Sequence, residues 1–308
     1  MNKKILIVGG TGFLGFNLAK KCLKKNFQVI SLSRNRPKKD RFLKKVKYLY
    51  ADISNKKQLR NKLNFNPNYV VNFGGEVNHH AKKTFKSHFD GCKNLVDIYK
   101  KKKIEKFVQI GSSVEYANQK APHFEQKIDV NLYELKSIYA KAKLSATNYL
   151  VNLAEKEGFP GTILRPYLIY GPGQDINRLI PFVIKNCIED KDFPCSNGQQ
   201  FRDFIYIDDA INLILKSLTN KKSTGEIFNI CTGKPIKVKQ VISFIKKKIK
   251  KGRPKFGSIL LRADEVQRFY GSPKKTKKIL NWKSKTDLNK GITKTILFYE
   301  NYLKERHR

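Results

Sequence analysis

The chain contains 308 residues, and its 40% hydrophobic content is enough to form a substantial buried core. Its 64 lysines and arginines outnumber 25 aspartates and glutamates and give a formal net charge of +39, while no apolar run reaches the ~18 residues of a membrane-spanning helix. The five cysteines and five histidines lack the spacing of a disulfide framework or a metal site. We therefore expect a cytoplasmic protein with no membrane segment and no metal.

The basic residues are mostly lysines at the ends or on the outer faces of predicted helices, as in residues 100–103 and 246–248. Such clusters are usually solvated surface. A nucleic-acid-binding surface is expected to group arginines with aromatic side chains, and the sequence does not group them in that way. Nucleic acid is therefore not the expected partner, although a positive field favours any anionic ligand.

The first predicted elements are a strand, a glycine turn and a helix. The apolar run from Ile5 to Val8 is followed by GGTGFLG, and the next residues have the apolar spacing of a helix. In such a turn Gly9 allows the bend, Gly12 lets backbone N–H groups approach a pyrophosphate, and Gly15 lets the helix pack close to the strand. The loop predicts a dinucleotide site, whose binding residues here are Gly9, Thr11, Gly12, Phe13, Leu14 and Gly15.

The end of the second predicted strand, residues 27–33, indicates which dinucleotide is bound. NAD-binding folds usually place an acidic residue there for the ribose 2′-hydroxyl, but this chain has Ser33 followed by Arg34 and Arg36. A hydroxyl and two guanidinium groups can bind a 2′-phosphate that a carboxylate would repel. NADP is therefore the predicted cofactor, and NAD stays an alternative because the whole surface is basic.

Strands and helices alternate through the first half of the chain. Strands are predicted over residues 46–52, 69–74, 106–113 and 161–166, and helices over 56–63, 82–102 and 137–157. This order predicts an α/β fold with a Rossmann-type doubly wound parallel sheet and ligands at the carboxyl ends of its strands. Asp52 could hydrogen-bond the adenine of the cofactor, and the alternative is that it caps the following helix. The cofactor residues predicted at these strand ends are Asp52, Ile53, Phe73, Gly74, Gly75 and Pro166.

Tyr139 and Lys143 stand four residues apart in a predicted helix downstream of the glycine loop. Because about one helical turn separates them, the phenol and the ammonium project from the same face. A neighbouring cation favours the phenolate and lowers the pKa of a tyrosine from its usual value of about 10. Together with a dinucleotide fold, this pair predicts a redox enzyme.

Several motifs occur in the order of one known family: GGTGFLG, GSSVEY (111–116), YxxxK (139–143), LRPYLIYGPGQ (164–174), QQFRDFIYIDDA (199–210) and EIFNICTG (226–233). From residue 3 to about 303 the chain resembles the extended short-chain dehydrogenase/reductases of the nucleotide-sugar epimerase/dehydratase type. The resemblance implies that Ser112 orients the reacting oxygen and that Tyr139 is the acid/base. It also implies that Lys143 lowers the pKa of Tyr139 and holds the nicotinamide ribose.

Departures from the family pattern narrow the expected chemistry. Dehydratases carry an Asp-Glu pair where this chain has Ser113 and Val114, and the Cys and His of the GDP-fucose synthases would align with Val114 and Gly173. Without those groups, oxidoreduction at one carbon remains. We expect NADP-dependent reduction of a 4-ketosugar at C4 of a nucleotide-activated (deoxy)hexose, in surface polysaccharide biosynthesis. An NAD-dependent 4-epimerase is the alternative, and a catalytically idle RNA-binding or scaffold protein is the alternative of another class.

The resemblance also implies how the chain is organised. Residues 1–166, with return segments at about 201–232, are expected to bind the cofactor, and residues 167–308 are expected to form mainly a smaller α/β substrate lobe. The helices near residues 82–102 and 137–157 match those that pair family members, so a homodimer is expected.

The resemblance also implies that Arg202 and Arg262 contact the diphosphate of the nucleotide sugar or its sugar, and planar guanidinium groups suit paired phosphate oxygens. The alternative is that both arginines form surface or interlobe salt bridges, for example Arg202 with Asp208 or Asp209. Leu168 replaces an asparagine that family members commonly place against the sugar nucleotide. The predicted substrate residues are Ser113, Gln199, Arg202 and Arg262.

Overall fold

The computed structural model describes residues 2–76, 82–125, 132–261 and 265–306. Strands are numbered along the whole chain, and seven of them form the central sheet. These are β1 (Lys4–Val8), β2 (Gln28–Ser33), β3 (Val46–Tyr50), β4 (Tyr69–Asn72), β5 (Lys106–Ile110), β6 (Gly161–Pro166) and β11 (Ile227–Ile230). They pair in parallel in the order β11-β6-β5-β4-β1-β2-β3. This order confirms the predicted Rossmann-type doubly wound sheet.

Helices cover both faces of this sheet because successive strand residues point to opposite sides. Ile5 and Ile7 of β1 lie in one core, whereas Leu6 and Val8 lie in the other. The first core includes residues of α1 (Phe13–Leu23) and α7 (Ile207–Thr219), and the second includes residues of α2 (Lys56–Lys62), α4 (Gly91–Tyr99) and α5 (Ile138–Glu157). The carboxyl ends of the strands are therefore held by packing on both sides.

The segment predicted as one helix over residues 82–102 changes its hydrogen-bonding pattern midway. It begins as α3 (Lys82–Phe85), passes through a π-helical turn (Lys86–Asp90) and continues as α4 to Tyr99. A π-helical turn often lies at a functional site. Here it carries His88, whose buried ring lies edge-on to Tyr139, with the two ring centroids 5.1 Å apart. The irregularity therefore adjoins the predicted catalytic tyrosine.

After β6 the chain alternates between small sheets and the central sheet. β7 (Leu168–Tyr170) pairs with β10 (Phe204–Tyr206), β8 (Asp192–Cys195) with β13 (Arg253–Phe256), and β9 (Phe201–Arg202) with β12 (Ile236–Lys237) and β14 (Arg268–Phe269). The remaining helices are α6 (Leu179–Ile188), α8 (Val238–Ile249), α9 (Lys274–Leu280) and α10 (Leu288–Arg306). Between these elements β11 returns to the edge of the central sheet beside β6. The boundary at residue 166 stays a prediction.

No helix within the described ranges is both long and apolar enough to cross a membrane. The described side chains also contain no group of three His, Cys, Asp or Glu residues placed to hold a metal ion. All five cysteines are free thiols in the interior.

Candidate active site

The glycine loop joins β1 to α1 with a backbone geometry that side chains would disturb. Gly9 has a φ of +77°, which other residues rarely adopt. A Cβ added to Gly15 would lie 2.3 Å from the carbonyl oxygen of Gly9, so a larger residue would push α1 away from the strand. α1 begins at Phe13, directly after Gly12, and the first N–H groups of a helix have no partner within it. The loop therefore fits the pyrophosphate of a dinucleotide.

The residues predicted to select NADP lie beside this loop. The backbone N–H of Thr11 donates to Ser33 Oγ over 3.3 Å, which holds the end of β2 against the loop. Arg34 and Arg36 are exposed, and a guanidinium nitrogen of Arg34 lies 3.7 Å from a carboxylate oxygen of Glu76. An ion pair between exposed side chains at this distance is weak, so a 2′-phosphate can compete with Glu76 for Arg34. Sequence reasoning missed Glu76, which reaches Arg34 only through the fold.

Other predicted cofactor residues converge on the same edge of the sheet. A Cβ added to Gly9 would lie 3.2 Å from Phe73, and one added to Gly74 would lie 2.6 Å from Ile53. These approaches bring the ends of β1, β3 and β4 together. Pro166 ends β6 on the same sheet. Half-buried Leu14 lies in the first turn of α1.

Asp52 makes a local turn instead of capping a helix. Its Oδ1 accepts hydrogen bonds from the N–H and the hydroxyl of Ser54, over 2.8 and 2.7 Å. The cap of α2 is Asn55, whose side chain accepts the N–H of Gln58 over 3.0 Å. The helix-capping alternative for Asp52 is therefore wrong. The adenine contact stays a prediction for this half-buried carboxylate.

Ser112, Tyr139 and Lys143 meet where β5 ends. Ser112 precedes a 3₁₀ turn (Ser113–Tyr116) and hydrogen-bonds with the side chain of Tyr139. Tyr139 lies in the first turn of α5, and Lys143 Nζ lies 5.7 Å from the centroid of its ring. Lys143 Nζ also donates to the carbonyl oxygen of Ile110 over 2.7 Å. The structure thus brings the three predicted catalytic side chains into one site.

The ionisation of Tyr139 differs from the expectation based on its spacing from Lys143. Burial raises the pKa of Tyr139, and the hydrogen bond with Ser112 opposes this rise. Burial also lowers the pKa of Lys143 to about 8, against the effect of the nearby Glu115 charge. The loss of water around the Tyr139 phenol therefore raises its pKa by more than the Lys143 ammonium can lower it. That ammonium donates its hydrogen bond to a backbone carbonyl. At neutral pH the Tyr139 phenol keeps its proton.

His88 fills the space between Tyr139 and Gly75. Its Nε2 lies 3.0 Å from the carbonyl oxygen of Glu76, and a Cβ added to Gly75 would lie 2.0 Å from its ring. Gly75 also has a φ of +133°, so its conformation as well as its surroundings disfavour a larger residue. Sequence reasoning missed His88 because its position depends on the π-helical turn.

Arg202 lies in β9 and forms an ion pair with Glu265. The alternative partners Asp208 and Asp209 are therefore wrong. The guanidinium carbon of Arg202 also lies 5.9 Å from the ring centroid of Phe269. A diphosphate that binds Arg202 must compete with the carboxylate of Glu265.

The other predicted substrate residues have different surroundings. Ser113 is buried beside Ser112. Gln199 is exposed and accepts a hydrogen bond from Lys237 Nζ over 2.9 Å. Arg262 lies outside the described residues. Of the described members of this group, only Ser113 lies directly next to a catalytic side chain.

The model of the NAD dependent epimerase/dehydratase family matches residues 5–231, well over half of the chain. The chain belongs to this family. The predicted family, the fold class and the prediction of an enzyme are therefore confirmed.

Two sequence relatives match nearly the whole chain. The CDP-abequose synthase of Salmonella muenchen is 25% identical over an alignment of 309 positions that covers 97% of this chain and 99% of that protein. The UDP-glucuronate 4-epimerase of Thermodesulfobacterium geofontis is 27% identical over 311 residues and covers 94% of each chain.

Solved structures show the same fold. The UDP-glucuronic acid 4-epimerase from Bacillus cereus, in complex with UDP-glucuronic acid and NAD, has a TM-score of 0.84 at 23% identity. The UDP-glucose 4-epimerase from Thermotoga maritima, with UDP-glucose, has a TM-score of 0.86 at 21% identity. Each comparison covers 97% of this chain and 99% of the other.

Proposed function

We propose that the protein is an NADP-preferring oxidoreductase that transfers hydride at C4 of a nucleotide-activated (deoxy)hexose. It acts as a 4-ketosugar reductase in surface polysaccharide biosynthesis. The observation that carries this proposal is that Ser112, Tyr139 and Lys143 come together at the end of β5, with Lys143 Nζ 5.7 Å from the centroid of the Tyr139 ring. Ser113 and Val114 stand where dehydratases have an acid and a base, which favours hydride transfer without elimination of water.

The proposed reaction uses the side chains at the end of β5 to manage one proton. A bound nicotinamide supplies the hydride. Ser112 Oγ and the Tyr139 hydroxyl can both hydrogen-bond the ketone oxygen, and Tyr139 gives that oxygen its proton as negative charge develops there. Burial raises the pKa of the Tyr139 phenol, so the phenol is protonated at neutral pH, as a proton donor must be. The Lys143 ammonium then stabilises the phenolate.

Support for NADP comes from the end of β2. Ser33 adjoins the glycine loop, and the exposed guanidinium groups of Arg34 and Arg36 follow it. These groups can bind a 2′-phosphate through charge-assisted hydrogen bonds. Glu76 is the only carboxylate with which Arg34 forms an ion pair among the described residues, and that pair is long.

An NAD-dependent nucleotide-sugar 4-epimerase is the second candidate. It is supported by the 4-epimerases among the relatives and by the solved 4-epimerase structure that contains NAD. Such an enzyme needs Tyr139 to accept and then return a proton, and its NAD is recycled within the site.

Mass spectrometry of the nucleotide released from the purified protein separates these two functions. A reductase that draws NADPH from solution should release little dinucleotide and should then bind NADPH more tightly than NADH. Stoichiometric release of NAD, with interconversion of C4 epimers and no consumption of NADPH, would overturn the reductase proposal.

The proposal extends to the setting of the enzyme. Five free, buried thiols are compatible with a reducing compartment, so we place the protein in the cytoplasm. We also propose a homodimer formed through the α3–α4 segment and α5. A molecular mass twice that of the chain in light scattering would support the dimer, and a monomer at the same concentration would oppose it.

A further inference from the structure

Glu115 connects three elements beneath the Ser112–Tyr139 pair. It lies in the 3₁₀ turn after Ser112, and it is fully buried. Its Oε1 accepts the backbone N–H of Ser112 over 2.6 Å. Its Oε2 accepts the hydroxyl of Thr147 in α5 over 2.7 Å and Nε of Arg165 in β6 over 2.8 Å. One carboxylate thus ties the end of β5 to both α5 and β6.

Thr147 lies on the catalytic face of α5. Positions four residues apart follow one another along one side of a helix, and Tyr139, Lys143 and Thr147 form such a row. The hydrogen bond between Glu115 and Thr147 therefore fixes how this face of α5 is turned towards Ser112.

The buried pair of Glu115 and Arg165 is costly, so stability alone explains it poorly. Taking both charges out of water is unfavourable, and apolar side chains of similar volume often stabilise a core as well or better. Buried Arg165 Nη1 has no hydrogen-bond partner among the described residues, although the guanidinium carbon lies 4.6 Å from the ring centroid of Tyr116. The orientation that the pair imposes on Ser112 and α5 accounts for its presence better than its contribution to folding.

We propose that Glu115 is a positioning residue that holds the Ser112 backbone against α5 and thereby sets the contact between the hydroxyls of Ser112 and Tyr139. The inference rests on the proposed chemistry at Tyr139. The Glu115 charge also raises the pKa values of Tyr139 and Lys143. Within the described part of the chain, the other titratable or charged groups that face these two side chains are Arg178, His88 and Cys92.

Thr147 offers a test that leaves Glu115 in place. Thr147→Val removes one hydrogen bond to the carboxylate and keeps the shape of the side chain. We expect kcat to fall ~10-fold while KM and the Kd for NADPH stay within about twofold, because alignment and not binding is lost. Thr147→Ser keeps a hydroxyl and should restore most of kcat.

Thr162→Val is the matched control. Thr162 is a buried residue near the start of β6, and its hydroxyl donates to the carbonyl oxygen of Ser223 over 2.7 Å. The Thr162→Val substitution should lower the midpoint of thermal unfolding without lowering kcat. The proposal is overturned if Thr147→Val keeps full kcat, or if Thr147→Ser and Thr162→Val lower kcat as much as Thr147→Val does.

Glu115→Gln tests the charge through a second measurement. Because the Glu115 charge raises the pKa of Tyr139 while the hydrogen bond with Ser112 lowers it, Glu115→Gln should move the Tyr139 titration to lower pH and Thr147→Val should move it to higher pH. Ultraviolet difference titration against the matching Tyr139→Phe variants reports this pKa without turnover. A Tyr139 titration that does not move in Thr147→Val contradicts the proposal, and absence of ketosugar turnover in the unmodified protein contradicts only the proposed function.

Discussion

At the scale of single residues, burial and a hydrogen bond compete over the Tyr139 proton. Burial raises the pKa of the phenol, while the hydrogen bond with Ser112 acts in the opposite direction. The nearby Lys143 is itself desolvated, which lowers its pKa to about 8. A protonated phenol next to a cation suits transfer of a proton to a ketone oxygen, because the cation stabilises the phenolate that remains.

Removal of the phenolic hydroxyl tests this role. We expect Tyr139→Phe to lower kcat by at least ~10³-fold and to change the Kd for NADPH by no more than about twofold, because the ring and its packing against His88 are kept. Steady-state kinetics and fluorescence titration measure the two quantities. Tyr133→Phe, at a side chain that is 90% exposed, is the control. Equal losses of turnover and of affinity would mean that Tyr139 is architectural.

Charge reversal at Arg34 tests the choice of cofactor. Arg34→Asp should raise the Kd for NADPH more than ~10-fold and leave that for NADH nearly unchanged, because only NADPH carries the 2′-phosphate. The exposed Arg60 in α2 gives a control, Arg60→Asp, with the same change of net charge. Unchanged selectivity between the two cofactors would remove the argument for NADP.

At the scale of elements, the turn between β1 and α1 depends on close backbone contact. Gly15→Ala would place a methyl group 2.3 Å from the Gly9 carbonyl oxygen, so we expect a loss of about 1 to 3 kcal/mol in the free energy of unfolding and weaker NADPH binding. Urea unfolding and NADPH titration measure these effects. Gly161→Ala in β6 is the control, since its Cβ would meet no atom within 3.4 Å. Equal effects of both substitutions would contradict this account of the loop.

The elements also show what the sequence could predict. β1, the glycine turn and α1 were predicted well because apolar periodicity and glycine geometry are local signals. The π-helical turn was not predicted, and neither was the position of the His88 ring beside Gly75 and Tyr139 that depends on it. The contacts of Glu115 with Thr147 and Arg165 span 32 and 50 residues, and no short-range pattern reveals them. The predicted lowering of the Tyr139 pKa was wrong because spacing along a helix carries no information about burial.

At the scale of the whole molecule, a buried lysine makes stability depend on pH. Lys106 is buried at the start of β5, where Nζ donates to Thr224 Oγ1 over 2.5 Å and burial lowers its pKa to about 8. In the unfolded chain the pKa of Lys106 is 10.5, so between pH 8 and 10.5 the unfolded chain binds more protons than the folded protein. The contribution of Lys106 to the free energy of unfolding therefore grows as pH rises from about 8 to 10.5 and is lost as pH falls.

Lys106→Met removes this titration and keeps an apolar stem. From pH 8 to 10.5, we expect the free energy of unfolding of the unmodified protein to rise by about 2 to 3 kcal/mol relative to that of the variant. Urea unfolding at several pH values measures it. A difference that does not change with pH would show that Lys106 is solvated in the folded state.

The charge of +39 is also a property of the whole chain. The lysine clusters at helix ends are solvated surface in our interpretation, and the prediction that nucleic acid is not a partner stays a prediction. Membership of an enzyme family and the assembled Ser112, Tyr139 and Lys143 side chains favour catalysis over the idle scaffold alternative.

Transfer of deuterium from NADPH labelled at C4 of its nicotinamide tests the central claim most directly. The protein is incubated with nucleotide-activated 4-keto-6-deoxyhexoses, and the product sugar is analysed by mass spectrometry and NMR. We expect one deuterium atom at C4 of the sugar, in an amount equal to the NADPH consumed, and none with Tyr139→Phe. Reduction that persists in Tyr139→Phe, or C4 inversion without deuterium and with NAD retained by the protein, would contradict the account.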